Sequence, residues 1–182
     1  MTDGIETILT YALTENIMLV SFLGVSLLLT GTDGVRKAIK NGVWFAGAVI
    51  LSAVVGPVLA ETFPGAEVTA LLVFLVVSLA GVAALRAGGQ LTGERLGLPA
   101  PLFALPLLFG TQYTLYQAGM EFALTAAAAA GSGLGVYIAY VLAYSMYEQI
   151  RLTETTSPVK GLPALIIALG LLGFAMTGFQ FL

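Results

Sequence analysis

Six apolar runs divide this chain from end to end, and nothing between them is long enough to fold as a soluble domain. They cover approximately 7–30, 42–60, 68–87, 99–117, 122–147 and 162–182. A helix needs roughly 20 apolar residues to cross the ~30 Å hydrocarbon core of a bilayer, and each run is close to that length. Charged residues make up 9% of the 182 positions against 58% hydrophobic, and the mean hydropathy is +0.98. Soluble domains carry about a quarter charged residues. The expected fold is therefore an all-α integral membrane protein, a single membrane domain over 1–182.

The ten acids and seven bases give a formal charge of −3, but their placement says more than their sum. Arg36, Lys37 and Lys40 lie between runs one and two, Arg86 and Arg95 between three and four, and Arg151 and Lys160 between five and six. The other side carries Asp3, Glu6, Glu61, Glu67 and Glu121 without a base. The positive-inside rule then places both termini outside the cytoplasm, and the expected location is the cell (inner) membrane, crossed several times. A cleaved signal peptide would open on a basic segment. This chain opens on Asp3 and Glu6, so the first run is read as a span that stays.

There is no cysteine and no histidine. Disulfides, thiolate metal sites, thiol nucleophiles and imidazole-held metals or haem are excluded as chemistry of this chain. No phosphate loop, catalytic triad or paired carboxylate is found, and nucleic-acid binding has no support.

Three runs followed by three of opposite sense is the arrangement of an inverted repeat, here about 1–95 and about 96–182. At an offset of 86 residues Gly24 falls on Gly110, Gly47 on Gly133, and Ser26 on Gln112. Gly24 in the first run and Pro106 with Gly110 in the fourth predict two interrupted helices, with packing of small residues as the other reading. In the fifth run AAAAAGSGLG puts Gly131 and Gly135 on one small face suited to close helix approach.

ENIMLVSFLGVS (15–26), LPLLFGTQ (105–112), YEQI (147–150), SPVKG (157–161) and FAMTGF (174–179) together resemble the small six-helix subunit of the Rnf and sodium-pumping Nqr electron-transport complexes, the RnfA/NqrE type. The similarity is spread over nearly the whole chain. The resemblance implies pairing with a homologous subunit of opposite orientation and a shared [2Fe–2S] cluster near the membrane midplane. The family's cysteine positions, in patterns resembling FLGxC and LPLxTxNC, are here Ser26 and Gln112. Without thiolate at either place, no cofactor is expected in this chain.

Five residues are candidates for an ion path: Glu15, Asn16, Ser26, Thr111 and Gln112. Glu15 is the one carboxylate well inside a run, and either binds an ion or reaches back to the surface. Hydroxyl and amide oxygens at Ser26, Thr111 and Gln112 either line a path or bond across helices. Tyr137, Tyr140, Tyr144 and Tyr147 recur at helical spacing and form one face, read as an interface to another subunit, with a proton wire or stacking on a quinone-like ring as alternatives.

The expected function is that of a membrane subunit in an Rnf/Nqr-like ion-translocating assembly, scaffold and ion path without its own cofactor and at most a non-catalytic part of an oxidoreductase. The alternative is a cofactor-free ion or small-solute transporter on the same fold. Expected partners are membrane lipid and other membrane subunits, either the opposite-orientation homologue or a second copy.

Overall fold

The computed structural model describes residues 2–24, 26–27, 35–62, 67–88, 94–95, 98–152 and 162–178. Val25, the end of the first run beyond residue 27, the SPVKG segment with Lys160, and 179–182 lie outside the described residues. The regular structure of the described residues is helical apart from a two-residue antiparallel ladder pairing β1 (Glu94–Arg95) with β2 (Leu98–Pro99).

In chain order the helices are α1 (Thr2–Leu9), continued by a π-helical turn Thr10–Thr14; α2 (Ile17–Val20); α3 (Val35–Thr62); α4 (Glu67–Ala87); a 3₁₀ turn Ala100–Ala104 leading into α5 (Leu105–Gln117); α6 (Phe122–Leu152); and α7 (Leu162–Gly178). Among the described residues, three helices are long and apolar enough to cross a membrane: Val35–Thr62, Glu67–Ala87 and Phe122–Ile150.

Helix α4 shows why the solvent of this fold is lipid. Ala70, Phe74, Ser78, Val82 and Leu85 recur every three to four residues and face the protein. The opposite face carries Val68, Leu72, Val76 and Leu79, all exposed. An outward face as apolar as the inward one would be a large apolar patch in water and is ordinary in hydrocarbon.

Helices α3 and α6 form the centre. Gly42 lies against the ring of Tyr137, Phe45 meets Tyr140 edge-on at 5.2 Å, and Gly133 receives Ile50. Positions 42–45 of α3 face 137–140 of α6, whereas Ile50, further along α3, faces the earlier Gly133, so the two are antiparallel. The first segment packs on the other side of α6, with Ile8 at Gly131 and Asn16 at Gly135; here both numbers rise, so it runs parallel to α6. Against α5 the order reverses twice: Phe74 meets Tyr116, Ser78 meets Gln112 and Gly81 faces Leu108, while Leu23 meets Gly110 and Ser26 meets Phe103. Both α4 and the first segment are thus antiparallel to α5.

The small face of α6 is used as its composition suggests. A side chain at Gly131 would meet the Ile8 carbonyl oxygen at 2.6 Å, and one at Gly135 the Ala12 carbonyl oxygen at 2.9 Å. Both obstacles are backbone and cannot swing aside. Gly131→Ala is expected to cost about 1–2 kcal/mol by overpacking. Gly47→Ala, where an added Cβ meets open space, should stay within about 0.5 kcal/mol. Resistance to unfolding by SDS in mixed micelles measures both.

Two sequence expectations are corrected. The first run does not break at its middle glycine alone: the helix ends at Glu15–Asn16, and a second irregularity follows at Phe22–Gly24. The fourth run is not broken at Pro106 or Gly110. Pro106 falls in the first turn of α5, where its missing N–H has no intrahelical partner to lose, and α5 continues through Gly110.

Candidate functional site

The first break is closed by one side chain. The π-helical turn ends with the Glu15 N–H donating to the Thr10 carbonyl at 2.8 Å, and α2 starts two residues later. Such a junction leaves carbonyls at the end of one helix and N–H groups at the start of the next. Asn16, 1% exposed, serves both. Its Oδ1 accepts from the backbone N–H of Met18 (3.1 Å) and Leu19 (3.3 Å), and its Nδ2 donates to the carbonyls of Ala12 (3.0 Å) and Gly135 (2.9 Å). An amide carries both donors and an acceptor; neither a carboxylate nor a hydroxyl supplies two donors with a separate acceptor. The bond to Gly135 also ties the break to α6.

Past α2 the chain turns across α5. Phe22 has φ 54° and Gly24 φ 92°. The second is easy for glycine, whereas the first is a backbone cost of order 1 kcal/mol or more for an aromatic residue. The turn is held by packing: Leu23 occupies the space over Gly110, and Gly24 approaches Leu107 where a Cβ would stand 3.2 Å from its methyl carbons. Ser26 Oγ donates to the Phe103 carbonyl at 2.7 Å, joining this turn to the 3₁₀ turn before α5.

The third cluster lies on the opposite side of α5. Gln112, 0% exposed, donates from Nε2 to Ser78 Oγ at 2.9 Å and to the Leu108 carbonyl at 3.0 Å. Ser78 in turn donates to the Phe74 carbonyl at 2.7 Å, and Thr111 Oγ1 to the Leu107 carbonyl at 2.7 Å. Among the described residues Gln112 Oε1 has no hydrogen-bond partner. It is aimed at Gly56 of α3, where an added Cβ would fall on that oxygen, with Cδ at 2.7 Å and Cγ at 2.8 Å. Only glycine lets the amide come this close, and a weak Cα–H···O contact is the partner that a glycine offers. Pro57 follows, so α3 is also without an N–H donor to the Ala53 carbonyl at this level.

These candidates do not share one cavity. Phe103, which holds Ser26, and Gln112 are separated by nine residues of α5 and its lead-in, about 14 Å along the axis at 1.5 Å per residue. Asn16 faces α6, Gln112 faces α3 and α4, and Thr111 bonds within its own helix. Glu15 is exposed beside the break. The two positions aligned with the resembled family's cysteines are bonded at different joints, Ser26 to the Phe103 carbonyl and Gln112 to Ser78.

The tyrosine face is corrected in part. Tyr140 and Tyr144 are buried in the chain's own core, 5.2 Å apart ring to ring, with Phe45 of α3 on Tyr140. Tyr137 is half-buried against Gly42, and Tyr147 half-buried beside Tyr144 at 6.3 Å. The stripe packs on α3 because Gly42 leaves room there for a ring.

Two residues of the site escaped the sequence reading: Gly56 and Ser78. Ser78 stands between Val77 and Leu79 in an almost wholly apolar run, and Gly56 precedes a proline within another, so both had a visible signal. Gly135, a packing position by its sequence, also supplies the carbonyl that Asn16 needs. Among the described residues no group of three acidic, histidine or cysteine side chains could hold a metal ion. What the arrangement does is join an interrupted helix to its neighbours through buried amides. Comparison with protein-family models and with curated proteins finds no match for this chain.

Proposed function

We propose that this chain is a scaffold subunit of a redox-driven, ion-translocating membrane assembly of the Rnf/Nqr kind, carrying no cofactor of its own. The reading takes the chain as six spans in two inverted halves, with both termini on the non-cytoplasmic side of the inner membrane.

The observation that carries it is the pattern of helix neighbours. The first segment packs on α6 as α5 packs on α3, α3 on α4 as α6 on α7, and α4 on α5 as α7 on the first segment. Exchanging the halves returns the same main pairs, apart from the α5–α6 contact across their short connection. The directions inferred from facing residues alternate from the first segment to α6, as successive spans must. An interrupted first helix crossing the fourth is the feature through which inverted repeats build a midplane site. With most polar side chains here bonded to backbone, this one supports structure around a neighbour's cofactors.

Tagging the chain in its native membrane and purifying it in mild detergent tests the reading. The expected result is recovery together with membrane proteins bearing flavin or iron–sulfur absorption. Recovery of the chain alone, or only with itself, overturns it.

A second reading, a cofactor-free transporter, is favoured by one observation: the unpartnered Gln112 Oε1 deep between α3, α4 and α5. Ion flux through the purified chain in vesicles, lost in Gln112→Leu, would select it over the scaffold.

A further inference from the structure

An apolar groove of about 440 Å³ runs between α3 and α4. That size lies within the roughly 300–1,000 Å³ typical of small-molecule sites. Gly47 and Ala48 of α3 and Ala80, Gly81 and Ala84 of α4 give it its depth. Its α3 wall runs from Val43 to Val55, about 18 Å of helix, slightly more than the ~15 Å half-thickness of a hydrocarbon core. One leaflet's acyl chain has that reach.

The upper end of the same wall is basic. At 100° per residue, Arg36, Lys37 and Lys40 project within about 60° of the line through Lys40, Trp44, Gly47 and Leu51. All three bases are exposed. Trp44, 48% exposed, stands between them and the groove, where an indole marks the level of the headgroups. Arg86 lies in the last turn of α4, which the short 62–67 connection brings back toward the start of α3. A smaller cavity, about 160 Å³ beside Phe22 and Phe174, has no base on its walls.

We infer that this groove binds an anionic phospholipid, one acyl chain lying along Gly47 and Gly81 and the phosphate held by Arg36 and Lys40. Charge complementarity selects this occupant over a zwitterionic lipid, and the open apolar trough supplies the place for its chain. The assignment is independent of which assembly the protein serves.

Trp44 is the chain's single tryptophan, so it reports on the groove without labelling. The purified chain is reconstituted in vesicles containing phosphatidylglycerol or phosphatidylcholine brominated on the acyl chains, and Trp44 quenching gives their relative binding constants. The expected preference for phosphatidylglycerol is at least about fivefold, the factor for one base near an anionic headgroup, and it falls as salt is raised. Lys40→Gln should reduce it by about the same factor. Gly47→Leu, whose Cβ meets open space, puts a branched side chain into the groove and should abolish the preference while leaving the bases in place. Equal constants for the two lipids in the wild type overturn the proposal. So does a preference unchanged in Gly47→Leu, which would assign it to the bases alone, or Trp44 quenched by neither lipid, which would mean that another helix fills the groove.

Discussion

Asn16→Ala is expected to lower the stability of the folded chain by about 2–4 kcal/mol. The substitution removes the N-cap of α2, worth about 0.5–2 kcal/mol, and an interhelical bond to the Gly135 carbonyl, worth about 0.6–1.7 kcal/mol in a membrane protein. The cap term lies at the upper end of its range because the Met18 N–H, which donates to Asn16 Oδ1 at 3.1 Å, would be left without that partner in an apolar interior. Asn16→Asp separates the parts: the cap acceptor survives, but a carboxyl group replaces the amide donor facing the carbonyls of Ala12 and Gly135. Its cost should be no smaller than that of alanine. Glu15→Gln, one residue away and exposed, is expected to stay within about 0.5 kcal/mol. SDS titration in mixed micelles, followed by tertiary-contact fluorescence, distinguishes these outcomes. If Asn16→Ala and Glu15→Gln cost the same, the break is not held by the amide.

Gly56→Val is expected to cost about 3 kcal/mol, the upper end for overpacking a close-packed interior. Its Cβ would occupy the place of Gln112 Oε1, and the amide cannot retreat without giving up Ser78 and Leu108. The double variant Gly56→Val with Gln112→Ala should recover at least half of that loss, because the shortened side chain vacates the space that the valine needs. Gln112→Ala by itself trades two hydrogen bonds and some packing for the removal of a buried oxygen that has no partner. A coupling energy of about 1–2 kcal/mol between the two sites is therefore expected. Strictly additive costs would show that α3 and α5 do not meet through this pair.

Much of the architecture was legible because lipid imposes a coarse rule. Residues that lie in hydrocarbon must be apolar on every face, so α4 announces itself over almost its full length, 68–87 read from hydropathy against Glu67–Ala87 observed. The same rule misjudged the start of α3, which begins at Val35 rather than near residue 42 because Arg36, Lys37 and Lys40 are good helix formers as well as loop markers. The glycines of α6 were legible as packing positions, and Gly131 and Gly135 meet backbone as that reading requires.

The candidate site was legible only as a set of residue types. Polar side chains in an apolar chain attract notice wherever they occur, and Asn16, Ser26, Thr111 and Gln112 were selected on that ground. Which backbone group each one serves depends on helix direction and rotation, and these are decided by contacts more than 70 residues apart in the chain, such as Ser26 with Phe103 and Asn16 with Gly135. The tyrosine stripe illustrates the same point. Its spacing specifies one face of α6, but only Gly42 on α3 determines that the face turns inward.

By itself the sequence determined the solvent of this protein, its helical class and the chemistry denied to it by the lack of cysteine and histidine, since hydropathy and side-chain inventory are local properties. The tertiary structure decided that the first helix ends at an asparagine, that Ser26 and Gln112 serve different joints, and that α3 and α4 leave a groove beneath a basic rim. Those outcomes follow from which faces meet, and close packing resolves that choice only when all the helices are in place.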